Sequence, residues 1–203
     1  MTLVKICGIQ DADSAHVAAE AGADLLGFVF APGRRRIAPE TARSIVQSLA
    51  SPVQTVGVFV DEDPAEVQRI ADYCGLSAVQ LHGRESPAYC RRFTVPVIKA
   101  LRVGSTPGEL DRAVEYPVWA LLVDTLVPGQ AGGTGRTFDW NLLTARTFSR
   151  PLVLAGGLNS ANVQEAITTV RPYAVDVSSG VETAGRKDPV KIRDFIKLAK
   201  EAL

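Results

Sequence analysis

The sequence predicts an α/β fold, a single-domain (β/α)8 barrel in which eight parallel strands alternate with helices. Short apolar, β-branched runs recur eight times, and amphipathic segments separate most of them. The 203 residues match the lower end of the length range of such barrels, so one domain spans residues 1–203. An open doubly wound sheet is disfavoured because eight strands are many for it and no G-x-G-x-x-G motif opens the first helix.

The eight predicted strands are each too short to be helices. They are rich in Val, Leu and Ile and end at Gly, Pro, Asp or Ser, as strands of a buried parallel sheet do. They span residues 3–9, 23–30, 54–60, 78–83, 96–103, 119–125, 151–157 and 174–180. In a barrel of this kind the carboxyl ends of all strands share one face, and the active site lies there.

The predicted helices follow from apolar spacing and from residues that begin and end helices. They span residues 11–23, 39–50, 63–75, 159–170 and 188–203, with a shorter one at 85–93. Asp63, Asn159 and Asp188 are candidate N-caps, because a short polar side chain can accept a hydrogen bond from the first turn. Gly22 and Gly75 are candidate helix ends.

Side chains alternate along a strand, and this alternation predicts which residues face the barrel interior. Lys5 and Cys7 of the first strand point inward, and Lys5 needs partners because an unpaired buried charge is costly. The other polar inward candidates are Gln80, His82, Asp124, Asp176 and Ser178, with Lys99 of the fifth strand as a further one. His82 either touches substrate or makes a structural hydrogen bond. These residues gather at one end of the barrel, as active-site residues do.

Cys7 and Asp124 are the candidates for acid/base chemistry. Cys7 is either a small buried apolar residue or a nucleophile or base, because the ammonium of Lys5 nearby would lower the pKa of its thiol. Asp124 either caps the following segment or acts as an acid whose pKa is raised by apolar surroundings. Together they would form an acid/base pair. Cys74 and Cys90, inside predicted helices, are interpreted as buried apolar residues.

Glycine-containing strand ends predict a phosphate site. Residues 155–158 follow the seventh strand and lead into a helix, and residues 178–182 follow the eighth strand. Barrels often bind phosphate in these two loops, through backbone N–H groups and a helix N-terminus. The predicted phosphate-binding residues are Gly156, Gly157, Ser178, Ser179 and Gly180.

Two long insertions follow the second and sixth strands and therefore lie on the active face. Residues 126–138 are rich in glycine and are a candidate flexible lid. Arg34, Arg35 and Arg36 belong to the other insertion, residues 31–40. They form either a solvated basic turn or a clamp for a substrate carboxylate, and their position favours the clamp for one of the three.

Composition argues against several classes of function. Lys and Arg total 22 and Asp and Glu total 22, so no excess positive charge exists for binding bulk nucleic acid. No apolar run is long enough to cross a membrane, and the N-terminus lacks the features of a signal peptide. Three widely spaced cysteines favour neither a disulfide framework nor a zinc site. We therefore expect a cytoplasmic protein without a bound metal.

Six motifs then carry a family resemblance. They are KICGI (5–9), QLHG (80–83), LVDT (122–125), GGTG with FDW (132–135 and 138–140), LAGGL (154–158) and DVSSGVE (176–182). In this order they resemble the phosphoribosylanthranilate isomerase family of tryptophan biosynthesis. The match extends from residue 5 to about residue 188, which is essentially the whole chain.

The resemblance implies an Amadori rearrangement of N-(5-phosphoribosyl)anthranilate to 1-(2-carboxyphenylamino)-1-deoxyribulose 5-phosphate. It implies that Asp124 is the general acid that opens the furanose ring and that Cys7 is the general base at C2. The expected partner is a small phosphorylated substrate, with no cofactor, and the protein is a monomer or a homodimer. Arg35 best matches the family's carboxylate-binding arginine, although Gly33 replaces the usual serine.

Three alternatives are open from the sequence. A related isomerase of histidine biosynthesis, or an enzyme serving both pathways, would carry an aspartate in the role of Cys7. A Schiff-base aldolase would use Lys99 or Lys5 as its nucleophile. A non-enzymatic barrel that binds a phosphorylated ligand would require neither Cys7 nor Asp124.

Overall fold

The computed structural model describes residues 1–50, 53–103, 108–125 and 138–202. Its strands span Leu3–Cys7, Leu25–Val29, Gln54–Phe59, Ala78–Leu81, Val97–Val103, Ala120–Thr125, Leu152–Leu154 and Ala174–Val177, and are numbered β1 to β8. All are parallel, each pairs with its neighbour in the chain, and β8 pairs with β1 to close the barrel. The predicted fold is confirmed. Most strands are shorter than predicted because the apolar runs continue into the loops that follow them.

The helices surround the barrel. In the described ranges they span Ala12–Glu20, Pro39–Ser48, Pro64–Cys74, Pro87–Cys90, Gly108–Asp111, Asn141–Thr144, Val163–Val170 and Pro189–Glu201, and are numbered α1 to α8. Short 3-10 segments occupy Arg112–Glu115 and Ser179–Val181, and a small hairpin pairs β9 (Glu182–Thr183) with β10 (Arg186–Lys187). The single-turn helices α5 and α6 were not predicted, and α4 is shorter than the predicted 85–93.

Most helix ends follow the signals in the sequence. The carboxylate of Asp63 accepts hydrogen bonds from the first turn of α3, and that of Asp188 does so for α8. Gly22 and Gly75 follow α1 and α3 with positive φ angles of 96° and 67°. Glycine adopts this left-handed conformation without steric penalty, so both residues end their helices as predicted.

The predicted cap at Asn159 is wrong. Helix α7 begins four residues later, at Val163, and Asn162 is the residue that precedes it. The Asn159 side chain accepts a hydrogen bond from the N–H of Ala161 at 2.8 Å, and its carbonyl accepts from Val163 at 3.1 Å. Residues 159–162 therefore form a separate turn, because the local hydrogen bonds of an asparagine can compete with a helix start.

Two apolar layers hold the barrel together. The interior is filled by small and branched side chains, namely Leu25, Val56, Ala78, Ile98, Ala100, Ala120, Leu122, Val153, Ala155 and Ala174. Side chains at the alternate strand positions, such as those of Val4 and Ile6, point outward and pack against the helices. The alternation predicted for β1 is confirmed, since Lys5 and Cys7 face inward. The polar side chains of the interior lie above this layer, toward the strands' carboxyl ends.

All three cysteines are free and buried. Cys74 and Cys90 pack in the outer apolar layer, as predicted. Within the ranges given above, none of the helices has the length and apolar character needed to cross a membrane.

We expect Asp188→Ala to lower the free energy of unfolding by about 1–2 kcal/mol, because α8 loses its N-cap. The carboxylate accepts from the N–H groups of Val190 and Lys191 and from the Thr183 hydroxyl. Urea unfolding measures the change. The matched control is Asp194→Ala, an exposed position within α8, which should change stability by less than about 0.5 kcal/mol. Equal effects of the two substitutions would contradict the capping role.

Candidate active site

A cavity of about 350 Å³ lies at the carboxyl ends of the strands. It brings together most of the residues predicted for the site, namely Cys7, Gln80, His82, Asp124, Asp176, Ser178, Arg34 and Arg35. A smaller cavity of about 40 Å³ adjoins it and is lined by Gly156, Gly157 and Ser179. The two cavities share Asp124, Asp176 and Ser178. One elongated ligand could therefore extend from one cavity into the other and contact the polar side chains that they share.

Lys5 lies inside the barrel with only 1% of its side chain exposed. Its Nζ donates to Asp176 Oδ1 at 3.0 Å and to Gln80 Oε1 at 2.8 Å. Burial lowers the pKa of Lys5, but the negative charge of Asp176 and the hydrogen bonds to Asp176 and Cys7 outweigh burial and raise it above its ordinary value. Lys5 is therefore an ammonium with the partners that its position requires.

Gln80 and His82 extend this network across the barrel. Lys5 can only donate, so the amide oxygen of Gln80 faces it and the amide nitrogen faces His82 Nδ1 at 2.9 Å. Nδ1 is then the acceptor, and the neutral imidazole carries its proton on Nε2. Nε2 lies 3.3 Å from Asp124 Oδ2, without the alignment of a hydrogen bond. A chain of polar side chains thus joins Lys5 to Asp124.

Asp124 lies near the end of β6 with 10% of its side chain exposed. Its Oδ1 accepts the N–H of Thr125 at 2.7 Å. Gly156 lies directly against this pair, with a φ of 87°, and a side chain there would collide with Thr125 and approach Oδ1 within 3.1 Å. Glycine at position 156 therefore lets the loop after β7 pack against the carboxyl of Asp124.

Cys7 ends β1, and its thiol packs against Gly27, where an added Cβ would lie only 2.8 Å from Sγ. Burial raises the pKa of the Cys7 thiol, whereas the charges of Lys5 and Lys187 act in the opposite direction. Burial prevails, and the pKa lies above its ordinary value. Lys5 thus acts on the thiol in the predicted direction, but the apolar enclosure disfavours the anion more than the ammonium favours it.

The loops after β7 and β8 touch each other. Gly156 and Gly157 have φ angles of 87° and 68°, and a Cβ on Gly180 would overlap the carbonyl oxygen of Leu158. In the part of the chain that the structure describes, the N–H groups of Gly157, Leu158, Ser179 and Gly180 have no acceptor. Free donors on adjoining turns are a suitable site for an anion.

The three consecutive arginines differ in position. Arg34 and Arg35 line the large cavity, whereas Arg36 is exposed and forms a backbone bridge with Val29 beside β2. The side chain of Arg35 is 17% exposed and that of Arg34 is 53% exposed. Arg35 is thus the most enclosed of the three arginines and lines the large cavity.

The prediction that Lys99 joins the polar interior is wrong. Ile98 and Ala100 of β5 fill the interior, so Lys99 between them faces the helices. Its Nζ donates to Glu85 Oε2 and to the carbonyl of Gly83, both at 2.8 Å. Lys99 therefore belongs to a buried structural ion pair with Glu85, and it cannot be the nucleophile of an aldolase in this cavity.

Sequence reasoning missed two residues beside the predicted acid and base. Arg102 lies on β5 at a position that faces the barrel interior, in register with Asp124. It donates a hydrogen bond to the carbonyl of His82 at 2.7 Å. Gly27 on β2 is opposite Cys7 and leaves room for its thiol. The small residues that face inward on neighbouring strands could have indicated both residues, because they show which alternate positions of a strand face the barrel interior.

Glu182 is a third residue near the cavity that the sequence did not indicate. It begins β9 and receives ion pairs from Arg34, Arg35 and Lys187, although its own side chain is 6% exposed. Burial raises the pKa of Glu182, but hydrogen bonds from Arg35 and Arg34 and the charge of Lys187 outweigh it and lower the pKa to about 2. The sequence placed Glu182 only at the end of a motif, and nothing in that motif indicated its partners.

The predicted lid, residues 126–138, lies outside the described residues except for Phe138, which packs against the outer apolar layer. The GGTG motif at 132–135 lies outside them as well. Among the residues that the structure does describe, no group of three or more His, Cys, Asp or Glu side chains is arranged to hold a metal ion.

Comparisons with known proteins agree with the resemblance seen in the sequence. The family model for N-(5'-phosphoribosyl)anthranilate (PRA) isomerase matches residues 4–198. An N-(5'-phosphoribosyl)anthranilate isomerase of Desulforudis audaxviator (strain MP104C) is 68% identical over 204 residues, which covers 100% of both chains.

Solved structures show the same likeness. Phosphoribosyl anthranilate isomerase from Thermotoga maritima has a TM-score of 0.90 and 48% identity, covering 98% of this chain and 99% of that one. A phosphoribosyl anthranilate isomerase in complex with reduced 1-(o-carboxyphenylamino)-1-deoxyribulose 5-phosphate has a TM-score of 0.87 and 46% identity, with the same coverage.

We expect the rate of Cys7 alkylation by iodoacetamide to rise about tenfold per pH unit and to reach half its maximum above pH 8.5, the ordinary thiol value. The reason is that burial raises the pKa of this thiol, so the reactive thiolate forms only at higher pH. Peptide mass spectrometry at each pH measures the labelling. Cys90, which lines neither cavity, is the control within the chain and should stay unlabelled. A midpoint at or below pH 8.5 would show that Lys5 prevails over burial.

Proposed function

We propose that this chain, which belongs to the N-(5'-phosphoribosyl)anthranilate isomerase family, isomerises N-(5-phosphoribosyl)anthranilate in tryptophan biosynthesis. The product is 1-(2-carboxyphenylamino)-1-deoxyribulose 5-phosphate. The observation that carries the proposal is that Cys7, Asp124 and Arg35 line one cavity, which adjoins the glycine loops of β7 and β8. Residues 1–203 then act as one catalytic domain.

The substrate lies with its phosphate at the glycine loops and its anthranilate carboxylate at Arg35. The free N–H groups of the loops support the first contact, because aligned backbone donors favour a phosphate dianion. The guanidinium of Arg35 supports the second, because its planar donors match a carboxylate. Val29, Ala31 and Val58 line the same cavity and give it an apolar wall that suits an aromatic ring. The ribose then lies between the two anchors.

Asp124 begins the reaction in its protonated form. It gives its proton to the furanose ring oxygen, the C1–O bond breaks, and the nitrogen lone pair forms a protonated Schiff base at C1. Its position at the junction of the two cavities supports this role, since the ribose must pass there. Thr125 N–H and His82 Nε2 face the two carboxyl oxygens and stabilise the carboxylate that remains.

Cys7, as its thiolate, then removes the proton from C2. The C–H electrons form the C1=C2 bond of an enolamine, and the positive nitrogen recovers its lone pair. The Cys7 thiol then returns a proton to C1 and the Asp124 carboxylate takes the proton of the C2 hydroxyl, since both groups line the same cavity. This gives the ketone and restores both groups, so substrate and product have the same composition. A thiol of raised pKa is a strong base once ionised, and the charges of Lys5 and Lys187 favour its thiolate. Asp176 and Gln80 hold Lys5 in position.

The remaining expectations concern location and partners. A cytoplasmic location agrees with three free cysteines, and the substrate is a small phosphorylated molecule rather than a nucleic acid. We expect neither a metal nor an organic cofactor, because acid/base groups suffice for the steps above. Whether the protein is a monomer or a homodimer stays a prediction without a preferred outcome.

We expect Cys7→Ala and Asp124→Asn each to lower kcat at least about a hundredfold, the scale of a lost acid or base, with a smaller change in KM. Fluorescence of the anthranilate group follows turnover. Cys90→Ala is the matched control and should retain its kcat, since Cys90 packs in the outer apolar layer. Near-normal kcat in Cys7→Ala or Asp124→Asn would refute the role assigned to that residue.

We also expect Arg35→Ala to raise KM more than Arg36→Ala does, with kcat changed less than KM in both. The physical reason is that Arg35 lines the cavity and Arg36 is exposed outside it. Steady-state kinetics of both variants at equal ionic strength provide the comparison. A larger rise in KM for Arg36→Ala would transfer the carboxylate contact to that residue.

A further inference from the structure

Glu182 has an unusual environment for a residue outside the acid/base machinery. Its buried carboxylate receives Arg35 Nε at 2.6 Å and Arg35 Nη2 at 3.1 Å. Arg34 Nη2 donates to it at 2.7 Å and Lys187 Nζ at 3.1 Å. We infer that Glu182 is a positioning residue that presents the guanidinium of Arg35 to the substrate carboxylate and so sets the preference for a carboxylated aromatic amine. This inference rests on the proposed function.

The contact between the two side chains leaves the recognition edge of Arg35 available. A guanidinium has five N–H donors, and Glu182 uses the pair on one side, Nε and Nη2. The end-on edge, formed by Nη1 and the second N–H of Nη2, has no acceptor among the described residues. Two parallel N–H groups on this edge match the two oxygens of a carboxylate. Glu182 therefore orients Arg35 without occupying the edge that would bind substrate.

Close packing against the loop after β1 also restricts Arg35. Its Cδ lies only 2.6 Å from where a Cβ of Gly8 would be, and Gly8 has a φ of 82°. The side chain of Arg35 thus passes directly over the β1 loop, in a channel that a larger residue at position 8 would close. Steric confinement on one face and a bidentate ion pair on one side leave the guanidinium with little rotational freedom.

Lys187 connects this clamp to the phosphate loops. Its side chain is 3% exposed, and Nζ donates both to Glu182 Oε1 and to the carbonyl of Ser178 at 2.8 Å. Ser178 begins the loop after β8 that is proposed to bind phosphate. The hairpin of β9 and β10 therefore fixes the distance between the two anchors of the substrate. Around Glu182, three cations face one anion, so positive charge remains for the ligand.

The test compares two substrates that differ only in the ortho carboxylate. Ribose 5-phosphate condensed with anthranilate gives the carboxylated substrate, and condensation with aniline gives its analogue. In Glu182→Gln we expect KM for the carboxylated substrate to rise about tenfold, with kcat within about threefold of wild type. For the aniline analogue, kcat/KM should stay within about twofold. The ratio of the two kcat/KM values does not depend on the folded fraction, so partial unfolding cannot produce this result.

Two further variants complete the design. Glu182→Asp keeps a carboxylate among the three cations, but its side chain is one methylene shorter. It should lower the ratio of the two kcat/KM values by less than Glu182→Gln does. Glu66→Gln is the matched control, because Glu66 pairs with Arg69 on the exposed face of α3, and it should leave the ratio unchanged.

Two outcomes would overturn the inference. Equal losses on both substrates in Glu182→Gln and Glu182→Asp would reduce Glu182 to a structural residue and leave the proposed function intact. Failure of the wild-type protein to isomerise the carboxylated substrate would refute the proposed function, and with it the inference.

Discussion

The buried ammonium of Lys5 is the constraint on which the site depends. A charge enclosed by the barrel must be compensated within hydrogen-bond distance, and Asp176 and Gln80 provide this compensation from the strands on either side of the interior. Because Lys5 only donates, it also fixes the direction of the Gln80 amide, which in turn fixes the tautomer of His82. The protonation pattern beside Asp124 is thus determined by a cation on a distant strand.

The same enclosure makes Cys7 a difficult residue to ionise. Desolvation opposes the thiolate, and Lys5 and Lys187 only partly offset that effect. The mechanism nevertheless requires the thiolate, because only the anion can remove the proton from C2. The charges of Lys5 and Lys187 are therefore the contribution of the site that favours the reactive form. Close packing around the thiol contributes to its desolvation, because Gly27 leaves room for the thiol and little else.

Strand alternation explains which parts of the site could be predicted from the sequence. Alternation places Lys5 and Cys7 on one face of β1, and it places Asp124 on the same face of β6 as Ala120 and Leu122. In the run at 96–103, Lys99 and Arg102 are three residues apart and so face opposite sides. Apolar residues on both sides of this run do not show which of the two faces inward, and in the structure it is Arg102. The fold was predictable because eight repeated runs each indicate a strand. The start of α7 was not, because Asn159 forms its own turn.

Glu182 shows a different limit of sequence reasoning. Its partners come from the loop after β2 and from β10, and only the closed barrel brings them together. A net charge of zero likewise says nothing about how charge is distributed. Here three cations converge on the carboxylate of Glu182, and N–H groups of the loops after β7 and β8 have no acceptor among the described residues. A substrate with two anionic groups therefore finds a donor group for each, although the formal net charge of the protein is zero. Local desolvation makes these few donors effective, because the same charges in water would be screened within about 10 Å.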